Sequence, residues 1–350
     1  MSLYNAYADV IGDVNAWDYY RGNPDDILQK CKQRPNIFIT QYFKHGEKEK
    51  VVDNALIRKI SRERQYHVIS VFFLGILIYR NSLRIRQSID SMTKAIESSL
   101  PAHRDDDDSR CFLYVWFLTC LFHDIGYCYE GLPCPDCSVC NRADLNPLFM
   151  EIDEIPCNDF IPAVFRRNIK HYGELCRHQA GFRSKKCIDH GISGGILLYQ
   201  LMNMHVHSQD KLTKSIKKFV TGKPILENHI ASVAWTIMSH NIWTKKREYD
   251  ENGKEKENNY DTHGLTELVY SDEALRFIQL EEHPLLFLFC LVDTIEPVKA
   301  SSWGYLERMS VEVTDSLIEI KNHPKNELDL DFLFRNGHYE NAKGNFAIKI

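Results

Sequence analysis

Two segments of the chain run almost without polar interruption: Val68–Tyr79 (VISVFFLGILIY) and Cys111–Phe122 (CFLYVWFLTCLF). A bilayer-spanning helix needs about 20 consecutive apolar residues, whereas runs of about 10–14 more often form buried core helices. The expectation is therefore a helical core and no membrane span. Apolar positions recur at helical spacing through the middle of the chain and predict helices over 62–80, 84–99, 110–125, 188–205, 211–220, 226–243, 272–280 and 284–298. Pro284 suits the first turn of the last of these, where its missing N–H is no loss. After Tyr305 the period shortens. Val311, Val313, Leu317, Ile318 and Ile320, followed by Leu328, Leu330, Phe332 and Leu333, predict short strands.

These patterns divide the chain into three parts. Residues 1–60 interleave aromatic and charged positions without a readable motif and are expected to form an N-terminal extension. Residues 61–305 are expected to make a mainly α helical bundle, and 306–350 a small β-rich tail. Two stretches interrupt the bundle: a Cys-rich insertion over 128–187 with Pro133, Pro135, Pro156 and Pro162, and a charged loop over 245–263. That loop is read as solvated, with a mobile lid as the alternative. The acidic run Asp105–Asp108 is likewise read as an exposed loop, since blocks of like charge repel and stay in water.

Composition narrows the picture further. With 44% hydrophobic and 26% charged residues, the chain has an ordinary globular balance and cannot be intrinsically disordered. A formal net charge of −5 supplies no global basic field for nucleic acid. The opening MSLYNAYADVIGDVNAWDYY has no basic segment leading into an apolar one, so no secretory signal is expected. The 11 cysteines are an odd number, which suits a reduced, cytoplasmic setting better than a disulfide framework. The 15 histidines change the picture most, because of where several of them fall.

His67 opens the first apolar run, and the pair His123–Asp124 closes the second. His123 follows Cys120 by three residues and Trp116 by seven, so it emerges beside an apolar helix face. Asp293 ends LLFLFCLVD, with Leu286, Phe289 and Cys290 on the same face. His190 lies on the stripe His190–Gly194–Leu197–Leu201, and His240 on Ile230–Val233–Ile237–His240. An ionised carboxylate in such surroundings needs a cationic partner. Helices whose core faces carry His or Asp are expected to meet at a metal site, and imidazole with carboxylate suits a divalent transition metal. A buried ion-pair network is the alternative reading of the same residues.

The order His67, FHDIG (Phe122–Gly126), DHGISGGILL, IMSHN and LVDTIE resembles the HD-domain superfamily of metal-dependent phosphohydrolases, over roughly 62–300. The resemblance is to the dinuclear branch, because His190 and His240 are the positions that bring in a second metal. It implies that His67, His123 and Asp293 hold one ion, that Asp124 bridges, and that His190 and His240 hold the other. The two cofactors implied are Fe, Mn, Zn or Co, with His123 and Asp124 at the catalytic centre. Two cations about 3.5–4 Å apart polarise a phosphoryl oxygen and activate water, so no side-chain nucleophile is needed. The implied substrate is a small phosphate ester or anhydride, a nucleotide foremost. Two alternatives use the same ligands: a di-iron oxygenase of the superfamily, and a non-catalytic nucleotide-sensing module.

The sequence also departs from the family's pattern. Tyr127 follows HDIG where many relatives have Lys, and the GYP signature of the cyclic-di-GMP hydrolases is missing. A cationic phosphate contact must then come from elsewhere, with Arg183, Lys185, Lys186 and Lys299 as candidates. In the insertion, Cys134, Cys137 and Cys140 form a Cys-x2-Cys-x2-Cys run with Cys128 upstream. Four such thiolates suit a structural zinc ion, and free thiols packed in a loop are the alternative. Asp144 stands where an iron–sulfur motif of this spacing would place its fourth Cys, which disfavours a cluster.

Overall fold

The computed structural model describes residues 1–3, 5–7, 62–98, 109–127, 190–192, 194–196, 198–199, 223–241, 277–299, 305–330, 333–334, 339–342 and 344–350. In chain order the elements are α1 (Arg62–Asn81), α2 (Leu83–Ser98), α3 (Ser109–Phe122), α4 (Lys223–Ser239), α5 (Pro284–Ile295) and the short α6 (Tyr305–Arg308). The strands β1 (Ser310–Val313), β2 (Leu317–Lys321), β3 (Tyr339–Ala342) and β4 (Asn345–Lys349) follow. The described residues between 190 and 199 are also helical. The described part of the chain is thus mainly α with a small antiparallel sheet. No helix among the described residues is long and apolar enough to cross a membrane.

The predicted helices at 62–80 and 84–99 match α1 and α2 closely, and three others stop earlier than their periodicity suggested. α3 ends at Phe122 rather than 125, because 123–126 turn out of the helix on the bonds Ile125 N–H to Phe122 O and Tyr127 N–H to Asp124 O. α4 ends at Ser239, not 243, and His240–Asn241 form a turn. α5 ends at Ile295 because Glu296 precedes Pro297 and is extended (φ −68°, ψ 125°). A residue before proline is forced from the α region by the pyrrolidine ring, so the helix cannot reach 298. The helix predicted over 272–280 is corrected over its described end, where 277–280 are not helical. His283, before Pro284, sits at φ −133°, ψ 61° and begins the next helix. The segment 211–220 lies outside the described residues.

Aromatic packing holds the bundle together. Trp116 of α3 lies across α1 at Gly75, where an added Cβ would fall 2.0 Å from its ring. Its indole N–H donates to Phe72 O at 2.9 Å, satisfying a polar group that is fully buried. Phe112 stacks on Tyr79 at 3.7 Å, and Phe289 of α5 closes on Trp116 at 5.9 Å. The glycine admits the indole, so Gly75→Ala forces the two helices apart. Chemical denaturation of this variant should show a loss of about 1–3 kcal/mol, the usual cost of overpacking a core.

The sheet has the order β1-β2-β4-β3 with every pair antiparallel. Ile318 faces Ile348 and Ile320 faces Phe346, and these four form its buried face. The apolar positions Leu328, Leu330 and Leu333, predicted as strand, are buried but lie outside the strands. They accompany Phe334, whose ring meets Phe287 of α5 edge-on at 5.6 Å. The demand for burial is met there by packing on a helix rather than by pairing.

The described start of the expected N-terminal extension packs on the rest of the described residues. Leu3 and Tyr7 are fully buried. The Leu3 N–H donates to Met309 O at 2.7 Å, and the Tyr7 hydroxyl bonds to Ser70 Oγ of α1 at 2.9 Å. This segment joins α1 to the base of the sheet.

Candidate metal centre

All six predicted ligands are among the described residues, and local helix geometry explains how they are presented. His123 and His240 each come directly after the last residue of a helix, where backbone carbonyls lack partners. Each ring donates its Nδ1–H to the carbonyl three residues earlier: His123 to Cys120 O at 2.8 Å, and His240 to Ile237 O at 2.6 Å. A carbonyl only accepts, so both rings carry the proton on Nδ1 and keep the Nε2 lone pair for the site. His240 Nε2 is buried and has no hydrogen-bond partner. Burial and the neighbouring imidazole of His190 hold His240 neutral.

His67, from the first half of α1, is oriented by a different partner. Its Nδ1–H donates to Glu296 Oε2 at 2.6 Å, and its Nε2 lies 2.9 Å from Asp293 Oδ1. Glu296 is fixed in turn by the backbone N–H groups of Val298 and Lys299, at 2.8 and 3.0 Å. Sequence reading assigned Glu296 no role. The usable signal was its place three residues after Asp293, just beyond the helix end. Burial opposes a charge on His67, but Glu296 and Asp293 outweigh it and raise its pKa to about 9.

The acceptors meet at one point. His67 Nε2 and His123 Nε2 are 3.3 Å apart, and His123 Nε2 stands 4.0 Å from Asp293 Oδ1. The ligand atoms of His67, His123 and Asp293 all lie within 4.8 Å of one another. Bonds of about 2.0–2.2 Å to one ion place neighbouring donor atoms roughly 3–3.5 Å apart, so this group fits a single transition metal. Asp124 lies beside it, with Oδ1 3.3 Å from His123 Nε2 and 3.9 Å from His190 Nε2. Its carboxylate, like that of Asp293, resists ionisation through burial, yet the surrounding His and Lys charges lower both pKa values. The His240 ring, with its orphaned Nε2, lies 5.3 Å from His190 and 5.8 Å from His123.

The segment 190–199 reaches this cluster because it is rich in glycine. A Cβ at Gly191 would fall 2.9 Å from Ile237 O and 3.0 Å from the His240 ring. At Gly194 it would fall 2.8 Å from Phe122 O, and at Gly195 2.6 Å from Ala234 O. The helical backbone therefore lies directly against the ends of α3 and α4, which brings His190 between Asp124 and His240. Tyr127 stacks on the His190 ring at 3.6 Å and 16°, and the Asn241 amide reaches His190 Nε2 at 2.9 Å. Neither contact was anticipated.

Of the proposed substrate cations, Lys299 is described: its Nζ lies 3.1 and 3.0 Å from the two oxygens of Asp293. Arg183, Lys185 and Lys186 lie outside the described residues. So do Cys128, Cys134, Cys137 and Cys140, the charged loop 245–263 and the run Asp105–Asp108. The chain matches no family model, no curated protein and no solved structure.

Proposed function

We propose that this chain is a metal-dependent phosphohydrolase of the HD-domain type, cleaving a phosphate ester or anhydride of a small molecule, a nucleotide foremost. The observation that supports this reading most strongly is the convergence of His67 Nε2, His123 Nε2 and an Asp293 oxygen within 4.8 Å, all buried or half-buried. Each imidazole is fixed through its other nitrogen, the arrangement in which a carboxylate or carbonyl orients a metal-binding histidine. A surface cluster of acidic residues would lack both the burial and this outer support.

When bound, a pair of divalent ions would polarise a phosphoryl oxygen and supply hydroxide near neutral pH. The protein's part is orientation and charge. His67, His123 and Asp293 would hold one ion, and His190 and His240 the other. Asp124 is placed to serve both sets, since it stands between His123 and His190. The Tyr127 ring covers one face of His190 and limits the water that reaches it. The Glu296 carboxylate keeps the His67 ring turned so that Nε2 faces Asp293.

The test pairs metal analysis of anaerobically purified protein with hydrolysis assays over nucleotides and phosphodiesters. The expected result is about two ions per chain. Phosphate release should stop on chelation and return when metal is restored. Two irons with O₂-dependent turnover and no hydrolysis would replace this reading with the oxygenase. Protein that takes up no transition metal at any pH would refute both.

A further inference from the structure

We propose that Lys299 receives the anionic group of the substrate, and that Glu296 sets this lysine in register with the metal ligand His67. The inference deepens the hydrolase reading and rests on it for the nature of the anion. Its basis is a shared oxygen. Glu296 Oε2 accepts both the Nδ1–H of His67, at 2.6 Å, and the backbone N–H of Lys299, at 3.0 Å. One buried carboxylate thus fixes the His67 ring and the stem of the lysine together.

The ammonium stands at the solvent edge of the centre. Its side chain is 41% exposed, whereas the Asp293 it grips is 15% exposed and His67 is 1% exposed. Its Nζ lies within 3.1 Å of both oxygens of Asp293. Asp124, Asp293 and Glu296 bring three carboxylates to this small volume. Lys299 adds a solvent-edge cation to that cluster, through its bridge to Asp293. An ammonium carries three donors, and Asp293 offers two oxygens, so one N–H remains for a ligand from the solvent side. A compact charge on a flexible stem suits the oxygens of a phosphate group.

Inorganic phosphate serves as the probe, titrated calorimetrically into the full, metal-loaded chain, with metal content measured on the same samples. Lys299→Met should bind phosphate roughly tenfold more weakly, the scale set by losing one charge-assisted hydrogen bond, with metal content unchanged. Lys299→Arg should recover most of the affinity while keeping the cation. Phosphate affinity within about twofold of wild type in the methionine variant overturns the proposal. It is also overturned if that variant loses metal and regains normal phosphate binding once metal is resupplied, because Lys299 then acts only on the ligands. The readout is equilibrium binding. Metal-loaded protein that binds phosphate through Lys299 but hydrolyses nothing would refute the hydrolase and leave this inference standing.

Discussion

Asp124→Asn should abolish metal-dependent phosphate release while leaving the fold intact. The side chain keeps its size but loses the charge that stands 3.3 Å from His123 Nε2 and 3.9 Å from His190 Nε2. A bridging position needs two anionic oxygens, and an amide offers one neutral oxygen. The loss in rate should be at least on the order of 10²–10³, the scale seen when a group acting on the transition-state charge is removed. Metal content should fall from about two ions to one, because His67, His123 and Asp293 remain as a set. Circular dichroism and metal analysis on the same preparation separate this outcome from unfolding. A variant that keeps both ions and full turnover would remove Asp124 from the centre.

Glu296→Gln should weaken metal binding by roughly 10–100-fold, the range for losing a carboxylate behind a histidine ligand. A chelator competition would measure it. The same change should alter the pH dependence of the metal-free protein. Burial disfavours charge on His67, but Glu296 and then Asp293 raise its pKa from 6.5 to about 9. A raised histidine pKa stabilises the folded state fully below the unfolded value, and that contribution is lost as pH rises through the folded value. Metal-free wild type should therefore lose stability between pH 6.5 and about 9, on the order of a few kcal/mol. In Glu296→Gln that slope should shrink sharply, because burial then dominates. Metal uptake requires a neutral imidazole, so wild-type affinity should rise over the same interval. A metal-free melting temperature that is flat across it would show that His67 is not charged there.

The helices and the six His and Asp positions were readable because each lies beside a long apolar face, where a polar residue stands out. Helix ends were less readable. Periodicity carried the predictions past Phe122, Ser239 and Ile295, yet in α5 the stop was set by Pro297 acting on Glu296. Glu296 itself was hidden because one acidic residue after a helix resembles any solvated end. Its role exists only through His67, 229 positions earlier in the chain. The burial of Leu3 and Tyr7 was missed for a related reason: two apolar residues four apart are too short a pattern to outweigh the mixed stretch after them. The strands at Tyr339–Ala342 and Asn345–Lys349 are too short to stand out by alternation, and the chain turns between them at Gly344 (φ +80°). The glycines of 190–199 were visible, but their purpose depends on the two helix ends pressed against them.

Those helix ends have an electrostatic consequence of their own. α3, α4 and α5 finish at Phe122, Ser239 and Ile295, and the residues immediately around those ends supply His123, Asp124, His240 and Asp293. The peptide dipoles of a helix sum to about half a negative charge at its C-terminus. Three C-termini directed at one small buried volume make it negative before any side chain is counted. The backbone alone would therefore draw a cation there, whether a metal ion, an ammonium or an imidazolium. Exchanging single ligands should change which cation is preferred more readily than it removes the preference for positive charge.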